Sequence, residues 1–334
     1  MNQNIHLSKE RLNQWFLSCL VIHFLKLYFP LFWVLPAAIF LSLTIKASAQ
    51  DILTGLTSSG GAQNGGTVFT IKSTGAGFSV KKNFALMGYS PHGDLTKGPD
   101  GSFYGMTFDH YEGQDVINHG TIFKVTPAGK VTVLHRFDLS KDGGSPYGSL
   151  LLATDGNFYG MTSTGGPGLW GTIFKITPSG IFTVLHSFDY YKEGAAPFGN
   201  LVQGKDGNFY GMTSEGGLNN LNGDTFGTVF KITPSGLFTV LYNFNYNYSG
   251  GNPYGSLTLG KDGNFYGMTS YGGSRPFPFE KGTVFKITPT GILTVLYDLH
   301  FDITGAEVYG SLTLGKDGNF YAMTQYGSSG YGAV

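Results

Sequence analysis

Cysteine is almost missing from this chain: of 334 residues only Cys19 carries a thiol, and it lies in the N-terminal apolar region. Everything after that region is therefore without disulfides, thiol nucleophiles or cysteine metal sites. Charge is also scarce. Asp, Glu, Lys and Arg together make up 13 % of the residues, about half the usual share. No basic stripe occurs, so a nucleic-acid partner is not expected. There is no Gly-x-Ser-x-Gly elbow, no His-Glu-x-x-His helix and no Gly-Lys-Ser/Thr phosphate loop. The common hydrolase, metalloprotease and nucleotide-binding signatures are thus excluded, and no cofactor is expected.

What is plentiful is glycine, at 52 residues, with 28 Phe and 20 Tyr. Many turns joined to aromatic and β-branched runs favour an all-β protein. The segment Gly204-Lys205-Asp206-Gly207-Asn208-Phe209-Tyr210-Gly211-Met212-Thr213-Ser214 returns nearly unchanged at 260–270 and 315–324, and more loosely at 98–107 and 154–163. Its aspartates, Asp100, Asp155, Asp206, Asp262 and Asp317, are spaced by 55, 51, 56 and 55 residues. A fixed step of this size marks a repeat architecture.

One unit, from Pro197 to Phe244, reads as four short strands. These are Phe198–Val202, Phe209–Ser214, Gly227–Thr233 and Phe238–Phe244. Asp206-Gly207 is expected to supply the positive-φ positions of the first hairpin, and Pro234-Ser235-Gly236 the last turn. Four antiparallel strands in about 50 residues fit a β-propeller blade. A β-solenoid is the rival, but it does not need two hairpin turns per unit. The first-strand glycines Gly148, Gly199, Gly255 and Gly310 suit a crowded inner edge. Units fall near 51–90, 91–145, 146–196, 197–252 and 253–307, with a partial one at 308–334. About five blade-equivalents are expected, and Gly332-Ala333-Val334 reads as the start of a third strand, as in a chain truncated from a larger ring.

Residues 1–49 read as an address. Lys9 and Arg11 precede the apolar stretch Leu27–Ile45, and Ala47-Ser48-Ala49-Gln50 offers an A-x-A site. This predicts a signal helix cleaved between Ala49 and Gln50; an uncleaved anchor is the alternative. Residues 1–49 hold four of the 21 basic and one of the 21 acidic residues, so 17 basic and 20 acidic residues follow, a net of −3.

The pattern Gly-x-Leu…Asp-Gly-Asn-x-Tyr-Gly-Met-Thr…Gly-Thr-Val-Phe-Lys-Ile-Thr-Pro-x-Gly, carried by 171–180, 227–236 and 282–291, resembles the GloVer tandem repeat of bacterial "choice-of-anchor" surface proteins. The resemblance runs from about Asp51 to Val334. It implies export, then attachment to the cell surface through a C-terminal sorting signal, which this sequence does not display. It implies no catalytic residue.

Individual side chains give little chemistry. The Asp-Gly-Asn turns offer too few acids for calcium. His135 and His186 share a repeat position with Tyr242 and Tyr297, which points to packing. His110 and His119, with Asp109, Glu112 and Asp115, read as a solvated loop.

Loop variation says more. The first and third connections of each blade are short and constant. The second and inter-blade connections vary, and four-stranded topology puts these two on one face. Function on a rigid scaffold usually sits in such loops. They carry non-repeated aromatics: Tyr111, Trp170, Tyr190, Tyr191, Phe226, Tyr246, Tyr248, Phe277 and Phe279. These suit stacking on an extracellular glycan or anchoring a surface protein; covering the disc is the competing use. The expectation is an exported, non-enzymatic binding protein, touching a membrane only through the signal segment or a missing C-terminal anchor. One alternative is a polysaccharide-degrading glycosidase or lyase drawing on Asp109, Glu112, Glu193, Glu215, Asp224 or Glu280. Another is a purely structural surface-layer role.

Overall fold

The computed structural model describes residues 52–62, 65–84, 90–108, 119–218, 226–274, 281–300 and 307–326. Among them there is no helix, and the repeat is written directly into sheets. The first sheet has three strands: β1 (Ile52–Thr57), β2 (Thr67–Lys72) and β3 (Ser79–Asn83). Four complete sheets follow. They are β4 (Thr96–Lys97) to β5 (Phe103–Thr107), β6 (Thr121–Val125) and β7 (Val131–Arg136); β8 (Leu151–Leu152) to β9 (Phe158–Thr162), β10 (Thr172–Ile176) and β11 (Phe182–Ser187); β12 (Val202–Gln203) to β13 (Phe209–Thr213), β14 (Thr228–Ile232) and β15 (Phe238–Asn243); and β16 (Thr258–Leu259) to β17 (Phe265–Met268), β18 (Thr283–Ile287) and β19 (Leu293–Asp298). A two-stranded sheet, β20 (Thr313–Leu314) with β21 (Phe320–Tyr321), comes last.

Every named strand pairs with its sequence neighbour, antiparallel. That rules out stacked parallel coils and gives propeller blades.

The repeated letters now have physical reasons. In each turn the aspartate is a hub. Asp206 Oδ1 accepts the Asn208 backbone N–H at 3.2 Å, and its Oδ2 accepts the Asn208 side-chain amide at 2.7 Å and the Tyr210 hydroxyl at 2.8 Å. Asp155, Asp262 and Asp317 bind their own Asn and Tyr in the same way. Only the glycine of Asp-Gly, such as Gly207 at φ +80°, takes the left-handed conformation. The aspartate contributes its carboxylate and not, as expected from sequence, a positive φ.

The threonines of Met-Thr and Gly-Thr face each other across the second and third strands. Thr213 and Thr228 are wholly buried, with hydroxyls 2.9 Å apart. The same pair closes the second connection in the other sheets, at Thr107–Thr121, Thr162–Thr172 and Thr269–Thr283.

Blades meet through five apolar clusters, each drawn from two consecutive sheets. Four of the five share a ring pair: the second-strand Tyr of one blade lies on the second-strand Phe of the next. Centroids are 4.2 Å apart for Tyr104–Phe158, 4.1 Å for Tyr159–Phe209 and Tyr210–Phe265, and 4.3 Å for Tyr266–Phe320. Nearer the rim, His135 stacks on Phe182 at 3.8 Å and His186 on Phe238 at 4.0 Å. Their Nε2 atoms lie 2.6 Å from Asp142 and 2.8 Å from Glu193, so both histidines are packing groups with one carboxylate partner each.

The first strands are shorter than the sequence suggests. Only Val202 and Gln203 pair within the sheet. Phe198–Leu201 spends its contacts on neighbouring blades instead: Asn200 accepts the Ser149 N–H at 2.6 Å and donates its own backbone N–H to Ser256 Oγ at 2.7 Å.

The turn hubs make the protein acid-sensitive. Lys124 and the Ser102 backbone hold Asp100 down at about 2. Burial alone would raise Asp155, but bonds from Asn157, Tyr159 and Lys175 outweigh it and bring it to about 2. Asp206, Asp262 and Asp317 are lowered by the same kind of bond. A carboxyl depressed in the folded state stabilises it above the unfolded value of about 3.9, and that stability is lost as pH falls toward the folded value. The urea midpoint should therefore fall between about pH 4 and pH 2. Asp155→Asn should flatten that slope; an unchanged slope in this variant would refute the role given to the hub.

Candidate binding face

Five of the six rim aromatics that lie within the described residues come together in two groups. Trp170, in the second connection of its blade, sits 4.8 Å from Tyr190 in the outgoing inter-blade loop, and Tyr190 is 5.3 Å from Tyr191. One blade on, Phe226 lies 5.2 Å from Tyr246 at the same two positions. Gly166 and Gly217 donate their N–H to the Leu139 and Tyr190 carbonyls at 2.7 and 2.8 Å, which ties each second connection to the preceding inter-blade loop. The two variable connections therefore share a face, as the topology requires. Trp170, Tyr191 and Tyr248 are 41 %, 68 % and 71 % exposed, whereas Tyr190, Phe226 and Tyr246 are half-buried. Tyr111, Phe277, Phe279, Ala49 and Gln50 lie outside the described residues, as do Asp109, Glu112, Asp224 and Glu280.

The structure adds a second aromatic set that motif reading passed over. Just before each first-strand glycine stands one ring: His92, Tyr147, Phe198, Tyr254 and Tyr309. These side chains form a continuous arc from blade to blade. Centroid distances are 5.2 Å (His92–Tyr147), 4.8 Å (Tyr147–Phe198), 5.6 Å (Phe198–Tyr254) and 5.1 Å (Tyr254–Tyr309). Phe108, opening a second connection, packs on the first two rings. The Tyr271 hydroxyl, opening another, lies 3.4 Å from that of Tyr309. These contacts put the arc on the variable face, inside the rim pairs.

Its electrostatics are those of neutral hydroxyls. Burial, with Tyr271 and Glu215 nearby, pushes the Tyr254 phenol up. The hydrogen bond with Tyr271, then burial, pushes Tyr309 up. Burial lowers His92, favouring the uncharged imidazole. The arc thus offers the half-buried rings of Tyr147, Phe198 and Tyr254 between an exposed His92 and an exposed Tyr309, edged by hydroxyl donors, a surface for stacking and hydrogen bonding. Of the acids singled out from sequence, Glu193 is bound to His186 at the rim, and Glu215 lies beside Tyr254. Among the described residues no three His, Cys, Asp or Glu side chains are grouped to hold a metal.

The signal for the arc was present in the sequence. Pro-Tyr-Gly and Pro-Phe-Gly recur at fixed steps, but attention to the glycine hides the ring beside it.

Comparison with solved structures finds similarity across most of the chain at low identity. A luciferin-regenerating enzyme is 12 % identical, with 80 % of this chain and 81 % of that one covered and a TM-score of 0.47. TolB from Acinetobacter baumannii is 13 % identical over 84 % of this chain and 62 % of its own, at 0.43. Oligogalacturonate lyase from Vibrio parahaemolyticus is 10 % identical over 80 % and 70 %, at 0.47. No curated protein matches the sequence. The model of the Gloeobacter/Verrucomicrobia repeat matches residues 42–226 and again 151–334. Those two overlapping matches take in all six sheets, and the chain belongs to the Gloeobacter/Verrucomicrobia repeat family.

Proposed function

We propose that this is an exported repeat protein of the choice-of-anchor type, displayed at a bacterial surface, that binds an extracellular polysaccharide through its variable-loop face without transforming it. The observation that carries the reading is the aromatic arc His92–Tyr147–Phe198–Tyr254–Tyr309, edged by neutral hydroxyls. Sugar rings present apolar faces and hydroxyl rims, and stacked aromatics with neutral donors match both. The rim pairs around Trp170 and Phe226 enlarge that surface. The N-terminal leader pattern supports export, and the mass of the secreted form should correspond to a chain beginning at Gln50.

A polysaccharide array tests the binding. Phe198→Ala should weaken the best-bound glycan about tenfold or more, and Trp170→Ala by a smaller factor. Ile181, 67 % exposed in a constant third connection, is on the opposite face, and Ile181→Ala should change nothing. Equal losses at Phe198 and Ile181, or no binding to any polysaccharide, would overturn the reading. Release of shortened sugar products would replace it with an enzymatic one.

A further inference from the structure

One charged side chain stands against the aromatic arc without a partner. Four acids of the rim loops are satisfied. Asp138 and Asp189 hold Lys141 and Lys192 at 2.8 and 3.2 Å, and Asp142 and Glu193 hold His135 and His186 at 2.6 and 2.8 Å. Glu215, which opens the second connection of its blade, is different. Its backbone is fixed to Ala195 by two hydrogen bonds, at 2.8 and 3.2 Å. Its side chain is exposed, and among the described residues no hydrogen bond or ion pair reaches its carboxylate.

Three observations place that carboxylate beside the arc. Asn252, two residues before Tyr254, donates its side-chain amide to the Ser214 carbonyl at 2.9 Å, so the residue before Glu215 is tied to the next blade's ring segment. Tyr271 holds the position of Glu215 one blade on, and its hydroxyl lies 3.4 Å from that of Tyr309. A side chain at this position therefore reaches the ring of the following blade. Finally, after burial and Tyr271, the Glu215 charge is the third influence pushing the Tyr254 phenol up. Glu307, two residues before Tyr309, adds a second carboxylate 3.5 Å from that hydroxyl. No cation answers them. Neither the five rings, nor the residues two before them, nor the openers Thr164, Glu215 and Tyr271 include a lysine or arginine, and burial disfavours the charged form of His92.

We infer, resting on the polysaccharide reading above, that the arc takes a sugar chain bearing free amino groups, one of which lies against the Tyr254 ring with its charge toward Glu215. A cation over an aromatic face is attracted by the ring's electrons. An ammonium N–H donated to a carboxylate is also roughly twice as strong as a neutral hydrogen bond. An acetylated amine has no charge and gains neither. A uronate or sulfated chain would bring like charge to Glu215 and Glu307, with no cation at the arc to receive it. Glu215 thus sets which sugar is preferred, while the rings supply stacking that any pyranose shares.

Calorimetry with the purified full chain tests this by comparing glucosamine oligomers with N-acetylglucosamine oligomers of the same length. The pH is set at about 5.5, where amines are protonated and exposed carboxylates ionised. The amine oligomer should bind at least about tenfold more tightly, and added salt should erode that margin. Glu215→Gln should cut the preference about tenfold. Phe198→Ala should weaken both oligomers and leave their ratio unchanged. A preference for the acetylated oligomer, or a ratio that Glu215→Gln does not move, overturns the inference. No saturable binding of the amine oligomer up to about 1 mM overturns it too. The polysaccharide reading fails separately: an array that shows neutral or acidic glycans bound, with the loss at Phe198, leaves that reading standing without this inference, and an array with no bound glycan removes both.

Discussion

Gly199→Val should unfold the protein under conditions in which Gly310→Val leaves it folded. Both glycines occupy the same repeat position, and both replacements add the same atoms. They differ in what stands opposite. A Cβ on Gly199 would lie 2.3 Å from the Gly255 carbonyl oxygen and 2.8 Å from its carbon. That obstacle is backbone, fixed on one side by Ser256 Oγ holding the Asn200 N–H and on the other by Ser311 Oγ holding the Ser256 N–H. No rotamer change relieves the clash; two blades must part. Overpacking that moves backbone costs about 3 kcal/mol or more. At Gly310 nothing among the described residues lies within 4 Å of the added atom, and the change should stay within about 0.5 kcal/mol. Urea midpoints of the two variants decide it. Equal tolerance at both sites would mean that the inner crossing is not a fixed contact.

The second large effect is expected at Gly211, and it should depend on Phe230. The Phe of each third strand lies over the Gly of its second strand. A Cβ on Gly211 would come within 2.5 Å of the Phe230 ring tip, and the same contact recurs at Gly160 with Phe174 and Gly267 with Phe285. Phe230 is fully buried, between Phe188 at 5.4 Å and Phe238 at 5.1 Å. Gly211→Ala should therefore cost about 2 kcal/mol by displacing the ring. Phe230→Ala should cost about 4 kcal/mol through the cavity it leaves. Together they should cost clearly less than their sum, since the alanine methyl enters space the ring has vacated. An additive double mutant would refute the contact.

The repeat gave up its architecture readily because its signals are local. Turn, strand and constant loop all lie within one period, and the Asp-Gly-Asn-Phe-Tyr run is held by bonds reaching only two and four residues along the chain. The sharing of one face by the variable connections followed from strand order alone. What sequence reading missed lies between repeats. Tyr147 meets Phe198, and Phe198 meets Tyr254, across intervals of a whole period, where spacing carries no sign of contact. The two-residue length of β12 was hidden for the same reason: Phe198–Leu201 looks like any strand, and its partners lie in other blades.

The buried threonine couples have a consequence for how such a surface diversifies. They clamp both stems of the second connection whether the paired residues are 10 apart, as Thr162 and Thr172 are, or 15 apart, as Thr213 and Thr228 are. Behind a fixed clasp, lengthening the chain between the stems raises its closure entropy only slowly, by about 0.6 kcal/mol per doubling. Insertions can thus accumulate on one side of the disc almost without thermodynamic resistance, while the opposite side stays monotonous.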